Sequence, residues 1–205
     1  MTKELSLFID DIRALANEKG ISSITLDRLY ENPDFSNELL AKHFKNDEIL
    51  VRRILESERN KFEVIFVDHD FDGYYDAIDI LFTVSKEMAA KFYNLSPSVT
   101  HSYKDQYPKI YENHLKKRVD FIFGKIQVNL QKGISEGMYR DDVSIELVAR
   151  RYISRLLDLH DPENFPPEDF SFTTLFMQMF DSFVKSIATE KGIKHYNKKR
   201  KTIKF

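Results

Sequence analysis

The sequence predicts an all-α chain, an N-terminal three-helix helix-turn-helix domain joined to a C-terminal helical body, on three observations. Apolar residues recur at the i, i+3, i+4, i+7 steps of a helix face along most of the 205 residues. The two-residue alternation of a half-buried strand is absent. Gly, Pro, Ser and Asn fall between the apolar stripes, where helix caps and stops belong.

The elements follow in order. Leu5, Phe8, Ile9, Ile12, Leu15 and Ala16 share one face of a first helix, and Gly20 supplies its stop. Thr25 is placed to cap a short second helix with Asp27 in its first turn, and Asn32-Pro33-Asp34 ends it, Asp34 being able to take the left-handed conformation that such a turn uses. Ser36 caps a third helix, in which Leu39 and Leu40 read as core. Asn46 caps a fourth that runs to about Val67 through Ile49, Leu50, Ile54 and Leu55. After an acidic break at 68–73, residues 74–94 are helical in pattern, and Ser96-Pro97 interrupts them. Residues 107–135 form a long helix ending at Gly133 and Gly137. Ser144 caps the next, whose stripe is Ile145, Val148, Ala149, Tyr152, Ile153, Leu156 and Leu157. Residues 161–168, DPENFPPE, read as a rigid loop. The last helix carries Phe172, Leu175, Phe176, Met179, Phe180, Phe183, Val184 and Ile187, with Gly192 as its stop.

Composition narrows the function classes. Hydrophobic residues make up 42% and charged ones 31%, which is too apolar for wholesale disorder. Zero cysteines exclude disulfides, thiol catalysis and cysteine-ligated zinc. No apolar run is long enough for a membrane span and no leader segment is visible, so a cytoplasmic protein with no membrane partner is expected. The net charge of −2 hides an asymmetry: residues 191–205 hold seven Lys and Arg and no acid, so the body is acidic. Residues 1–50 carry six bases against ten acids, a weak electrostatic footprint for DNA. The basic tail, 191–205 with Lys198-Lys199-Arg200-Lys201, is expected to be disordered and to solubilise an acidic protein.

Three short helices giving way to a longer one form a pattern with a known counterpart. Ile12-Arg-Ala-Leu-Ala-Asn-Glu-Lys-Gly20, Thr25-Leu-Asp-Arg-Leu29, Phe35-Ser36 and Leu40-Ala-Lys-His-Phe-Lys-Asn-Asp-Glu-Ile-Leu50 together resemble the tetracycline-repressor (TetR) family of bacterial transcriptional regulators. The C-terminal segments 161–172 and 187–192 are similar to the ligand and dimerisation bodies of some members. The resemblance implies a homodimer through the two C-terminal helices, a double-stranded DNA operator and a small-molecule effector that releases it. The corresponding domains are 1–50 for DNA, 51–190 for effector and dimerisation, and 191–205 as the basic tail. The pattern departs from the family at the DNA side: Tyr30 stands for a small residue, Pro33-Asp34 for Ala-Gly, Glu38-Leu39 for Gly-Thr, Ala41 for Tyr and Asp47 for Lys.

The expected DNA contacts are Thr25, Ser36, Asn37, Lys42, His43 and Lys45. Asn suits adenine and Lys suits guanine or phosphate, and the N-termini of the second and fourth helices add backbone N–H groups. The same segment also suits a helix-turn-helix kept as structure alone, in a helical dimer that senses a ligand or binds a protein. The aromatics Tyr74, Tyr75, Phe92, Tyr93, His101, Tyr103, Tyr107 and Tyr111 could line an effector pocket, Tyr75, Phe92, Tyr103 and Tyr107 foremost; as core residues they need no ligand. Asp68-His-Asp-Phe-Asp-Gly-Tyr-Tyr-Asp-Ala-Ile-Asp79 reads first as an acidic turn between helices, with no metal expected; its spacing also matches a calcium loop, with Asp68, Asp70, Asp72 and Asp79 as ligands in that weaker alternative. No zinc pattern, phosphate loop or nucleophile elbow is present, so neither cofactor nor catalysis is expected.

Overall fold

A computed structural model describes residues 2–67, 75–92, 97–159, 163–166 and 168–202. The helices among them are α1 (Lys3–Lys19), α2 (Leu26–Glu31), α3 (Asn37–His43), α4 (Asp47–Val67), α5 (Ala77–Phe92), α6 (Pro97–Gln106), α7 (Pro108–Ser135), α8 (Ile145–Asp158), α9 (Phe172–Ile187) and α10 (Glu190–Thr202). The described residues contain no strand, only an isolated bridge between Tyr139 and Ala188. No helix among them is long and apolar enough to cross a membrane.

The chain divides into two compact units, Met1–Phe62 with Asn94–Arg118 and Glu63–Tyr93 with Val119–Phe205. The first therefore extends beyond residue 50 and takes in α6 and the start of α7. Its core is one apolar cluster in which Ile9, Ile12, Leu29, Leu40, Leu50 and Ile54 are fully buried. The α1 stripe supplies Leu5, Phe8, Ile9, Ile12 and Ala16 to it, and Gly20 ends the helix at φ 82°, its N–H donating to the Ala16 carbonyl. Phe8 anchors the centre, edge-on to Phe35 at 5.8 Å and stacked with Phe44 at 6.4 Å. Tyr103 of α6 joins the same cluster, and Tyr107 packs against it.

The second unit is built around Phe82, which meets Phe180 edge-on at 5.3 Å and stacks on Tyr196 at 5.2 Å. Within it α8 packs on α9, and α10 packs on both α5 and α9. A polar chain closes the junction between α7 and α5: the buried Tyr139 hydroxyl donates to Asn129 Oδ1, Asn129 Nδ2 donates to the Ala77 carbonyl, and Glu136 accepts from the Ala77 N–H at 2.9 Å. Because all members are paired, the buried amide and phenol are satisfied.

The interruption expected at Ser96-Pro97 separates α5 from α6, and Pro97 opens α6, since proline lacks only an N–H that the first helical position leaves unpaired. Four sequence expectations are corrected. Gly133 lies inside α7, where a Cβ would sit 2.0 Å from the Tyr139 ring; Gly137, at φ 67°, makes the turn that follows. Gly192 lies inside α10, where a Cβ would meet the Met138 carbonyl oxygen at 2.1 Å, so it permits close approach and stops nothing. The segment expected to be a disordered tail is helical to Thr202, held by Tyr196, which is fully buried and donates to Asp181. Asp34 has no left-handed backbone, because Asn32 Oδ1 accepts from the Asp34 N–H and turns the chain without it. Of the loop 161–168, residues 161, 162 and 167 lie outside those described.

Candidate nucleic-acid interface

α3 has two sides. Leu40 is fully buried and Leu39 packs on the core, while Asn37, Glu38, Ala41 and Lys42, spaced as i, i+1, i+4, i+5, lie exposed along one face. Ser36 Oγ accepts from the Leu39 N–H at 3.3 Å and starts the helix. Phe44 is its C-cap and is buried at 2% exposure, which fixes where the exposed face points within the unit. Lys45 is exposed, and His43 is half-buried with its ring 6.3 Å from Phe44. Of the expected contacts, Ser36, Asn37, Lys42 and Lys45 are exposed, whereas Thr25 and His43 are partly covered.

Helix α2 starts by a different device. Thr25 stands at the N-cap position but its side chain makes no cap bond. The carboxylate of Asp47, from the first turn of α4, accepts from the Leu26 N–H at 2.8 Å. Asp47 is thus an inward-facing cap, and its sequence position, where the family pattern has a cation, gave no hint of this because the contact spans 21 residues. The bond also takes a donor that α2 would otherwise offer to a phosphate, and it leaves a negative charge beside that helix end. Asn46 caps α4 as expected, its Oδ1 accepting from the Ile49 N–H at 2.9 Å.

The four aromatics singled out for a pocket fall in different places. Tyr103 and Tyr107 belong to the first unit: Tyr103 is 4% exposed, and burial followed by Glu58 raises its phenol pKa. Burial and then Asp47 and Glu48 raise that of Tyr107, which sits near the start of α4. Tyr75 belongs to the second unit and is 56% exposed. Phe92 lies in α5, its side chain outside those described, as do Asp68, Asp70, Asp72, Tyr74 and Tyr93. The last of the expected calcium ligands is otherwise engaged. Asp79 Oδ1 lies 2.8 Å from His195 Nε2, and its Oδ2 accepts from Lys199 Nζ at 2.9 Å. Asp76 lies 3.1 Å from the same imidazole nitrogen and caps α5 by accepting from the Ile78 and Asp79 N–H groups. Asp76, Asp79 and His195 are close enough to share an ion, but Lys199 already neutralises one carboxylate, so the cluster works as a clasp between α5 and α10.

No family model matches the sequence, and a search of curated proteins returned no match. Solved structures do match. A transcriptional regulator from Cytophaga hutchinsonii aligns with a TM-score of 0.71 at 17% identity over 92% of this chain and all of that one. The SmeT–triclosan complex aligns at 0.70 with 15% identity over 92% and 93%. CprB from S. coelicolor A3(2), a TetR-family protein, aligns at 0.63 with 13% identity over 94% and 92%. The fold is therefore that of the TetR-type regulators, along nearly the whole chain.

Proposed function

We propose that the protein is a TetR-type transcriptional regulator, a cytoplasmic homodimer that binds a double-stranded DNA operator through α3 and leaves it when a small molecule binds the helical body. The observation that carries this reading is the two-sided α3, seated by Leu40 and Phe44 and presenting Asn37 and Lys42 outward, in a fold whose solved neighbours are regulators. The helices expected as the dimerising pair are α8 and α9. Leu147 and Leu157 of α8 stay exposed at 58% and 39%, apolar surface that suits a second copy. A twofold axis would set two α3 helices in successive major grooves, about 34 Å apart. Triclosan in the SmeT complex is a precedent for a small-molecule ligand in this fold. The effector's release of DNA is a population shift between two arrangements of the dimer.

Selection of operators from random duplexes, then a salt titration, tests the reading. The expected outcome is an enriched inverted repeat with half-site centres about 10 base pairs apart, and Lys42→Ala binding about tenfold more weakly. Glu38 on the exposed face and the Asp47 cap favour one rival, a TetR-like dimer that senses a ligand or protein without reading DNA. If no sequence is enriched, that rival replaces the regulator. A monomer in light scattering at micromolar concentration would remove the dimer from both.

A further inference from the structure

Asp76 caps α5 and Asp79 lies in its first turn, while His195 reaches them from α10, 116 residues beyond Asp79. Each carboxylate has one oxygen committed elsewhere. Asp76 Oδ1 accepts from the Ile78 and Asp79 N–H groups, and Asp79 Oδ2 accepts from Lys199. The other two oxygens, Asp76 Oδ2 and Asp79 Oδ1, converge on His195 Nε2 at 3.1 and 2.8 Å. An ionised carboxylate only accepts, so Nε2 carries a proton that the two oxygens share. All three atoms, drawn from two helices, lie within 4.8 Å of one another.

Ligand atoms about 2.1 Å from a shared transition ion stand about 3.0 Å apart at right angles and about 3.4 Å apart in a tetrahedron. Both oxygen–nitrogen separations are already near those values, so an ion between them asks for shifts of about half an ångström. It also needs the proton gone from Nε2: an imidazolium gives it to water, and a neutral ring carries it on Nδ1 instead. The committed oxygens then serve as the outer layer that aims the ligands, the α5 N–H groups holding Asp76 and Lys199 holding Asp79. Lys199 takes only Oδ2, so it weakens Asp79 as a ligand without occupying the oxygen that faces His195. Side-chain exposures of 21% for Asp76 and 29% for His195 give an ion and its waters a way in. One imidazole and two carboxylates suit zinc and its transition neighbours, whereas calcium asks for about six to eight oxygens. We propose that Asp76 Oδ2, Asp79 Oδ1 and His195 Nε2 form a binding site for a divalent transition ion of the zinc class, with water completing its coordination. Without the ion the same groups are the clasp; with it α10 is cross-linked to α5. Any effect on an operator rests on the regulator reading; the binding of metal does not.

Calorimetric titration of the full-length protein with zinc chloride, and separately with calcium and magnesium chloride, tests the site without DNA. One zinc should bind per chain, with the other two ions at least about a hundredfold weaker. Asp76→Asn and His195→Gln keep the size and polarity of the side chains, and each should weaken zinc at least about tenfold while circular dichroism shows the helices intact. Nitrogen-15 NMR of the histidine rings in the unaltered protein gives a readout that needs no variant: one equivalent of zinc should move His195 Nε2 to a metal-bound position and leave the other histidine rings in place. Zinc held as tightly by both variants, calcium binding that matches zinc, or an unmoved His195 ring would overturn the proposal. Failure of operator selection leaves it standing, and its own failure leaves the regulator reading untouched.

Discussion

Residues 3–50 and residues 133–202 are held in place by different means. In the first stretch most helix ends close within four residues, as Ser36 does for α3 and Asn46 for α4, and the interior is one set of interlocked apolar side chains. In the second, backbone meets backbone. Thr189 N–H donates to the Met138 carbonyl and Arg140 N–H to the Ile187 carbonyl, while Gly192 passes so near Met138 that it has no room for a side chain. An apolar interior loses stability in proportion to what is removed, because neighbours relax partway into the space. A close backbone approach has no such give. The first region should therefore respond to substitution by degrees and the second abruptly.

The sharpest test is Gly192→Ala. With Met138 O pinned by the Thr189 N–H at 2.9 Å, the added methyl cannot be accommodated without separating α10 from the turn. A loss of more than about 3 kcal/mol in urea unfolding is expected; a loss below about 1 kcal/mol would show that the approach is soft and abolish the contrast. Leu40→Ala removes a fully buried side chain from the first region and should cost about 3 kcal/mol, with Leu40→Met costing under about 1.5 kcal/mol. Equal losses for the two variants would contradict graded behaviour.

Asp47→Ala comes next, because it unmakes the one long-range cap of the first region. Losing a charged cap should cost about 1.5 kcal/mol, whereas Thr25→Ala, at a cap position without a cap bond, should cost almost nothing in the same urea experiment. Reversal of that order would reassign the cap to Thr25. The smallest effect is in acid. Burial raises the Asp79 pKa, but hydrogen bonds from His195 and Lys199 and their charges outweigh it, and the pKa lies below the ordinary carboxylate value. Stability from this depressed carboxylate is present above that ordinary value and is lost as the pH falls through the folded-state pKa. Melting curves from about pH 6 to about pH 3 should therefore fall less steeply for Asp79→Asn than for the parent; identical slopes would dismiss the clasp as a source of acid sensitivity.

What the sequence made legible follows the same division. The stripe of α1, its glycine stop, the Ser36 and Asn46 caps and the buried place of Leu40 are all written within a few residues of one another, and each is found where the spacing put it. The glycines of the second region were read as stops because local rules know only that use; their true partners, the Tyr139 ring and the Met138 carbonyl, become neighbours only after folding. Likewise the basic run 191–202 lacks a wide apolar stripe, and nothing local reveals that Tyr196 will be buried against Phe82. At the candidate DNA surface Asn37 and Lys42 were legible from helical phase. The inward turn of Asp47 was not.

That turn has a practical consequence. The bond from Leu26 to Asp47 ties together the two ends of the segment that contains α3, so residues 27–46 form a closed cassette. A segment from a solved TetR-type structure can be grafted between these two positions with its ends already joined, provided that a carboxylate stays at 47. A graft that carries in the family's usual lysine at that position would bring the cation and undo the clasp in one step.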